Sequence, residues 1–215
     1  SQRLTDGNQI NAAVRSRGVI LIYTDTALYQ MQFIGPPFTF GFRQLGTNCG
    51  AVGINAAVDV NGIAYWMGND SFFLFDGAVK KIPCSVQDYV FDDINNNALG
   101  DVFCAVNSDF NEVIWFYPSK NSTQIDRNVT YNYAEKIWYI GTLARSSWAD
   151  RGVYSNPYAA EFEASDTTAT ISTINGVKEG RTFVYLHEEG VNDDGAAMNC
   201  HVESGDIDVG DGDQF

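Results

Sequence analysis

Two histidines, four scattered cysteines and a run of aspartates near the end of the chain are the residues whose chemistry could reach beyond packing. His187 is followed by Glu188, Glu189, Gly190 and Val191, so it does not open the HExxH pattern that seats zinc on one helix face. Cys200 and His201 are neighbours, and neighbours on a strand point to opposite faces, so the pair does not close one zinc site. Cys49, Cys84, Cys104 and Cys200 form no CxxC pair and read as free thiols. There is no GxSxG elbow for a nucleophilic serine. The glycine-rich stretch Gly46 to Gly53 (GTNCGAVG) carries no lysine to meet a phosphate and reads as a linker. In SGDIDVGDGD the carboxylates of Asp206, Asp208, Asp211 and Asp213 are candidate Ca²⁺ ligands. Their spacing departs from an EF-hand loop, and an exposed acidic turn is the plainer reading. Glycosidic cleavage needs two carboxylates whose surroundings drive their pKa values apart, and no local pattern singles out two of the 27 acids. The expectation is a chain with no catalytic residues and no cofactor.

What must position any site is a set of strands. The chain has 215 residues, 45% of them apolar and 19% charged, enough for a sizeable core and too apolar for wholesale disorder. Aromatics make up 13%, a composition that suits pleated, half-buried surfaces. The net charge of −14 argues against wrapping nucleic acid through phosphate neutralisation. No apolar run is long enough for a membrane helix, and Ser1 to Asn11 lacks a signal pattern.

Gly18 to Tyr23 (GVILIY), a turn at Thr24 to Thr26, and Ala27 to Phe33 (ALYQMQF) read as a hairpin. The pattern returns without a gap 44 residues on, as Gly62 to Met67 (GIAYWM), a turn at Gly68 to Asp70, and Ser71 to Phe75 (SFFLF). Ala78 to Ile82 continues that unit. A looser copy pairs Val102 to Val106 with Glu112 to Tyr117, aligning a turn at Asp109 with that at Asn69, and Asn128 to Tyr133 with Lys136 to Ile140 completes four strands. Units of about 40 to 45 residues with four strands each predict an all-β, β-propeller-like fold, because one small sheet cannot bury both its faces alone. A sandwich gives no reason for an ungapped repeat. Residues 1–155 then hold the blades (hairpins near 18–34, 62–82 and 101–141). Residues 156–215 hold a further blade or a small insertion, Asn156 to Asn175, plus final strands at Arg181 to His187 and Ala197 to Val202. One short amphipathic helix is predicted within Ser85 to Asn97, with Ser85 as its N-cap.

Four stretches together, PFTFGFRQLGTNCG (37–50), GIAYWMGNDSFFLFDGAVKKIPC (62–84), DRNVTYNYAEKIWYIGTLARSSWAD (126–150) and ESGDIDVGDGDQF (203–215), resemble virion structural proteins of tailed bacteriophages. The nearest in kind are the tail tubular or nozzle proteins and the packaged-DNA stabilisation proteins of short-tailed phages. The resemblance implies a tail or neck subunit within the virion, made in the host cytoplasm. It implies a ring of copies of itself, with a hexamer favoured, contacts to adaptor, portal or other tail proteins, and DNA passing through without tight binding. It also implies that Trp66, Phe75, Tyr133, Trp138 and Trp148 pack between blades, and that the chain is part of a longer subunit. The alternative is a carbohydrate-binding or glycosidase propeller of a receptor-recognising tail protein.

Overall fold

The computed structural model describes residues 4–164, 173–174, 177–178, 180–193 and 196–197. It is all-β, with three four-stranded antiparallel sheets followed by a three-stranded one. Sheet one contains β1 (Ile10–Ser16), β2 (Val19–Thr24), β3 (Ala27–Gly35) and β4 (Thr39–Thr47). Sheet two contains β5 (Ala57–Val60), β6 (Ile63–Met67), β7 (Phe72–Phe75) and β8 (Val79–Ile82). The helix α1 (Gln87–Asp93) and a 3₁₀ turn (Asn96–Asp101) lead into sheet three, β9 (Phe103–Asn107), β10 (Glu112–Tyr117), β11 (Arg127–Asn132) and β12 (Ile137–Gly141). Sheet four orders β13 (Ser147–Ala149), β14 (Tyr158–Ala164) and β17 (Gly180–Leu186), with β15 (Thr173–Ile174) and β16 (Val177–Lys178) forming a small ribbon between the last two. A second ribbon joins β18 (Asn192–Asp193) to β19 (Ala196–Ala197). In each four-stranded sheet the spatial order is the chain order, so every pairing is a hairpin.

Turn chemistry sets the first hairpins of sheets one and two. Arg17 and Gly18 have φ of 48° and 79°, and Asn61 and Gly62 have 52° and 83°. Two successive positive φ values make the type I′ turn whose twist matches the flanking strands. The register that follows is the same in both sheets. Ile20↔Met31, Ile22↔Tyr29 and Tyr23↔Leu28 in sheet one become Ala64↔Phe75, Trp66↔Phe73 and Met67↔Phe72 in sheet two. The turns expected at Thr24 to Thr26 and at Gly68 to Asp70 both join second to third strands. Thr24 closes the first, its Oγ1 accepting from the N–H of Ala27 at 2.8 Å.

Alternate side chains along the strands point to opposite faces, and the sheets stack on those faces. Leu21, Tyr23 and Leu28 of sheet one meet Ala64, Trp66, Phe73 and Phe75 of sheet two. Tyr65, Met67 and Phe72 on the other face of sheet two meet Val113, Trp115 and Tyr117 of sheet three, with Val90 and Ile94 from around α1 closing that core. Ile114 and Phe116 then face Trp148 of sheet four. Each such fully buried aromatic or branched side chain contributes about 1.5–3 kcal/mol of burial free energy.

Four expectations are corrected. The third repeat was aligned one strand out of step: the turn holding Asp109 joins strands one and two of its sheet, whereas that holding Asn69 joins strands two and three. The equivalent turn is Pro118 to Asp126, pinned where Asp126 accepts from the backbone N–H and the hydroxyl of Ser119, both at 2.7 Å. Ser85 does not cap α1, whose N-cap is Val86 without a side-chain bond, because the helix starts one residue later than the pattern implied. Gly46 and Thr47 belong to β4, so the linker begins at Asn48. Residues 158–164 are strand β14, not an excursion, paired along their length with β17.

Candidate functional site

The sheets meet through their first strands. β1 lies against β5, β5 against β9, and β9 against β13. Between sheets two and three the approach is close enough for a parallel bridge, Asn55 to Phe103, in which the N–H of Cys104 donates to the carbonyl of Asn55 at 2.7 Å. Asn11, on β1, donates through Nδ2 to the carbonyl of Ala51 at 2.6 Å and ties sheet one to the following connection.

The tryptophans hold this arrangement from the side. Trp66 on β6 is fully buried and donates its indole N–H to the carbonyl of Cys49 at 2.8 Å. Trp115 on β10 is fully buried and donates to Ala56 at 3.1 Å. Trp138 on β12 donates to Pro83 at 2.9 Å, and Trp148 on β13 to Val106 at 2.9 Å. In every case the acceptor belongs to the sheet before, or to the chain just before or after it. Rings pack around these bonds: Trp66 stacks on Phe73 with centroids 5.5 Å apart, and Phe72 sits 4.9 Å from Trp115 and 4.6 Å from Trp138.

Of the residues singled out for the core, Trp66 and Phe75 are buried in the contact between sheets one and two. Tyr133 is half-buried, stacked on Tyr65 at 6.1 Å. Trp148 is half-buried, 6.0 Å from Phe116. Trp138, expected to be largely buried, is only half so, because β12 is the outermost strand of its sheet. Trp115, which was not singled out, is among the largest fully buried side chains. Its position matches that of Trp66, on the second strand and facing the preceding sheet. Asp206, Asp208, Asp211, Asp213, Cys200 and His201 lie outside the described residues. Cys49, Cys84 and Cys104 are free thiols. Burial raises the pKa of each, that of Cys84 to about 11.

Two polar clusters were not legible beforehand. In the first, Asn107 donates through Nδ2 to Glu112 at 3.4 Å and to Glu188 at 3.1 Å, and the Tyr139 hydroxyl also bonds to Glu112. Burial, with the nearby charge of Glu188, pushes the Glu112 carboxyl above its ordinary range, against the lowering effect of the Tyr139 and Asn107 bonds. In the second, the Arg145 guanidinium is only 5% exposed. It pairs with Glu161 at 2.5 Å, donates through Nε to His187 at 3.0 Å, and lies over the Tyr185 ring at 4.2 Å. Beside it opens a cleft of about 250 Å³ whose wall includes Thr123, Gln124, Ser146 and Phe162. Among the described residues no group of three or more His, Cys, Asp or Glu side chains is placed to hold a metal ion, and no helix is long and apolar enough to cross a membrane.

Compared with known protein families and with curated proteins, the chain matches none.

Proposed function

We propose that the chain forms blades of a β-propeller in a structural subunit of a bacteriophage tail or neck, part of a ring of its own copies around the path of the DNA, and that it carries out no catalysis. The observation that carries the propeller reading is the meeting of successive four-stranded meanders through their first strands. Sheets that meet first strand beside first strand are what radial repetition of small sheets requires. The assignment to a virion rests on the sequence resemblance. The use of every tryptophan to fasten one sheet to another agrees with a framework role. Neighbouring partners are portal, adaptor or other tail proteins. The deciding experiment is mass spectrometry of purified, nuclease-treated particles. The subunit should be present at a fixed, ring-compatible ratio to the portal, and its occurrence only as free protein in the lysate would sink the proposal.

A second reading, a carbohydrate-binding propeller of a receptor-recognising tail protein, is favoured by the cleft beside Arg145. Arg145 and Glu161 in its wall are paired with each other, and beside Asp101 hydroxyl and carboxamide groups stand next to an aromatic ring, a lining that suits a polyol. Saturation-transfer NMR with host surface glycans tests it, and the absence of any transfer removes it.

A further inference from the structure

Among the described residues no sheet lies beyond sheet one or beyond sheet four, and the outer faces of both are apolar. Sheet two meets sheet one through Ala64, Trp66, Phe73 and Phe75. Forty-four positions earlier, at the same registers, stand Ile20, Ile22, Tyr29 and Met31. On sheet one these residues form a separate cluster with Leu4 and Phe42, on the face away from sheet two; Ile22 and Tyr29 are already buried there, with the N–H of Asp6 donating to the Tyr29 hydroxyl at 2.7 Å, while Ile20 and Met31 are half-buried. Sheet one therefore repeats the surface by which a sheet seats itself on the one before, with no preceding sheet among the described residues. Further along the same face Phe33 and Phe40 stand opposite each other, 65% and 46% exposed, their rings edge to face at 5.9 Å. At the other end, Trp148, Ala159 and Tyr185 share a cross-strand row on the side of sheet four that meets sheet three. The opposite side carries the rows Ala149, Tyr158, Leu186 and Ser147, Ala160, Val184, with Val184 71% and Leu186 41% exposed.

We propose that these two faces bind each other between copies of the chain, sheet four of one molecule seating on the outer face of sheet one of the next. Three observations favour a second copy as the occupant. The outer face of sheet one continues, by the repeat, an interface the chain already makes between sheets one and two. The two faces differ, so the contact is head to tail and its rotation generates a ring or a filament, not an isolated two-fold dimer. The rows named on sheet four contain no charged residue and those on sheet one only Arg15, with one carboxylate, that of Asp6, accepting from Gln44 on that face, so two copies that each carry a net charge of −14 meet where carboxylates are few. The inference specifies the self-association included in the proposed function, but it stands on the stacking order alone.

The experiment is sedimentation velocity on the full chain and on two variants, Met31→Lys in the first face and Val184→Lys in the second. Wild type should self-associate at micromolar concentration. Each variant alone should be monomeric, since every copy lacks one half of the contact. Mixed one to one, the variants should form a heterodimer and nothing larger, because each supplies the half the other lacks. Far-UV circular dichroism checks folding, and Phe33→Lys, at a more exposed position of the same face, replaces Met31→Lys if that variant does not fold. A monomeric wild type, a variant that still self-associates, or a mixture that stays monomeric would each overturn the contact. A monomer that is nevertheless built into particles would leave the virion role standing, whereas head-to-tail assembly in a protein absent from particles would leave the contact standing and remove the role.

Discussion

The indole N–H of Trp115 donates to the carbonyl of Ala56 over 3.1 Å, from the second strand of one sheet to the residue that leads into the first strand of the sheet before it. Both groups are buried, and a buried acceptor left without its donor costs about 1–3 kcal/mol.

Replacing Trp115 or Trp66 by Ala should therefore destabilise the protein by about 3–5 kcal/mol, the range for a buried aromatic. Trp138→Ala should cost clearly less, since its ring is half-exposed on an outermost strand. Urea denaturation followed by circular dichroism ranks the three. Equal midpoints for Trp115→Ala and Trp138→Ala would show that the deeper burial of Trp115 adds nothing.

Glycine is needed at position 50 for room and at position 18 for conformation. A Cβ on Gly50 would sit 2.4 Å from the backbone of Asp25, a contact that only a shift of the chain between sheets one and two relieves. Gly18 has open space around it but a φ of 79°. Gly50→Ala should lower the melting temperature strongly, while Gly18→Ala should cost only the strain of a left-handed residue, of order 1–3 kcal/mol. A Gly50→Ala protein as stable as Gly18→Ala would contradict the close approach.

The raised pKa of Glu112 gives a sign to its pH dependence. Above the ordinary glutamate range the unfolded chain has released this proton while the folded chain still holds it. The stability contributed by the site is thus fully present at acid pH and is lost as pH rises towards the folded-state value. Glu112→Gln removes that loss, so the variant should match wild type at acid pH and gain on it towards neutrality. Asp25, whose carboxyl is held low by the backbone N–H of Asn8, contributes the opposite slope and is unchanged in the variant. Denaturation midpoints across pH 4 to 7 test this, and a variant uniformly less stable at every pH would refute it.

The surplus of 27 acids over 13 bases predicts that the chain does not hold duplex DNA tightly. A fluorescence anisotropy titration at about 0.15 M salt should give no binding tighter than the micromolar non-specific range. A continuous basic groove, or a nanomolar dissociation constant, would reverse the reading.

The 44-residue repeat was legible because its turn residues, Gly18 and Gly62, fix the same hairpin twist and the strands after them are densely apolar. β1 (INAAVRS) and β5 (AVDV) were not recognised as strands, since their side chains are small or polar and their pairing is set by neighbours. Missing them shifted the third repeat by one strand. Nothing in the residues around Arg145 marks it as buried or paired. Its acid, Glu161, and its acceptor, His187, lie far along the chain, and only the pairing of β14 with β17 brings them to it. The weaker burial of Trp138 was equally hidden, because the strand's place at the edge of its sheet cannot be read from five residues.

All four tryptophan bonds run in one direction, each donor reaching to a carbonyl made earlier in the chain. Because every four-stranded sheet closes by hairpins between consecutive strands, it can form from local contacts as soon as its own residues are available. A sheet emerging from the ribosome then finds its acceptor already in place. For the tryptophans the order of synthesis and the order of docking coincide, each later sheet fastening to chain already made, whereas Asn11 and Arg17 of the first sheet wait for the carbonyls of Ala51 and Gly62.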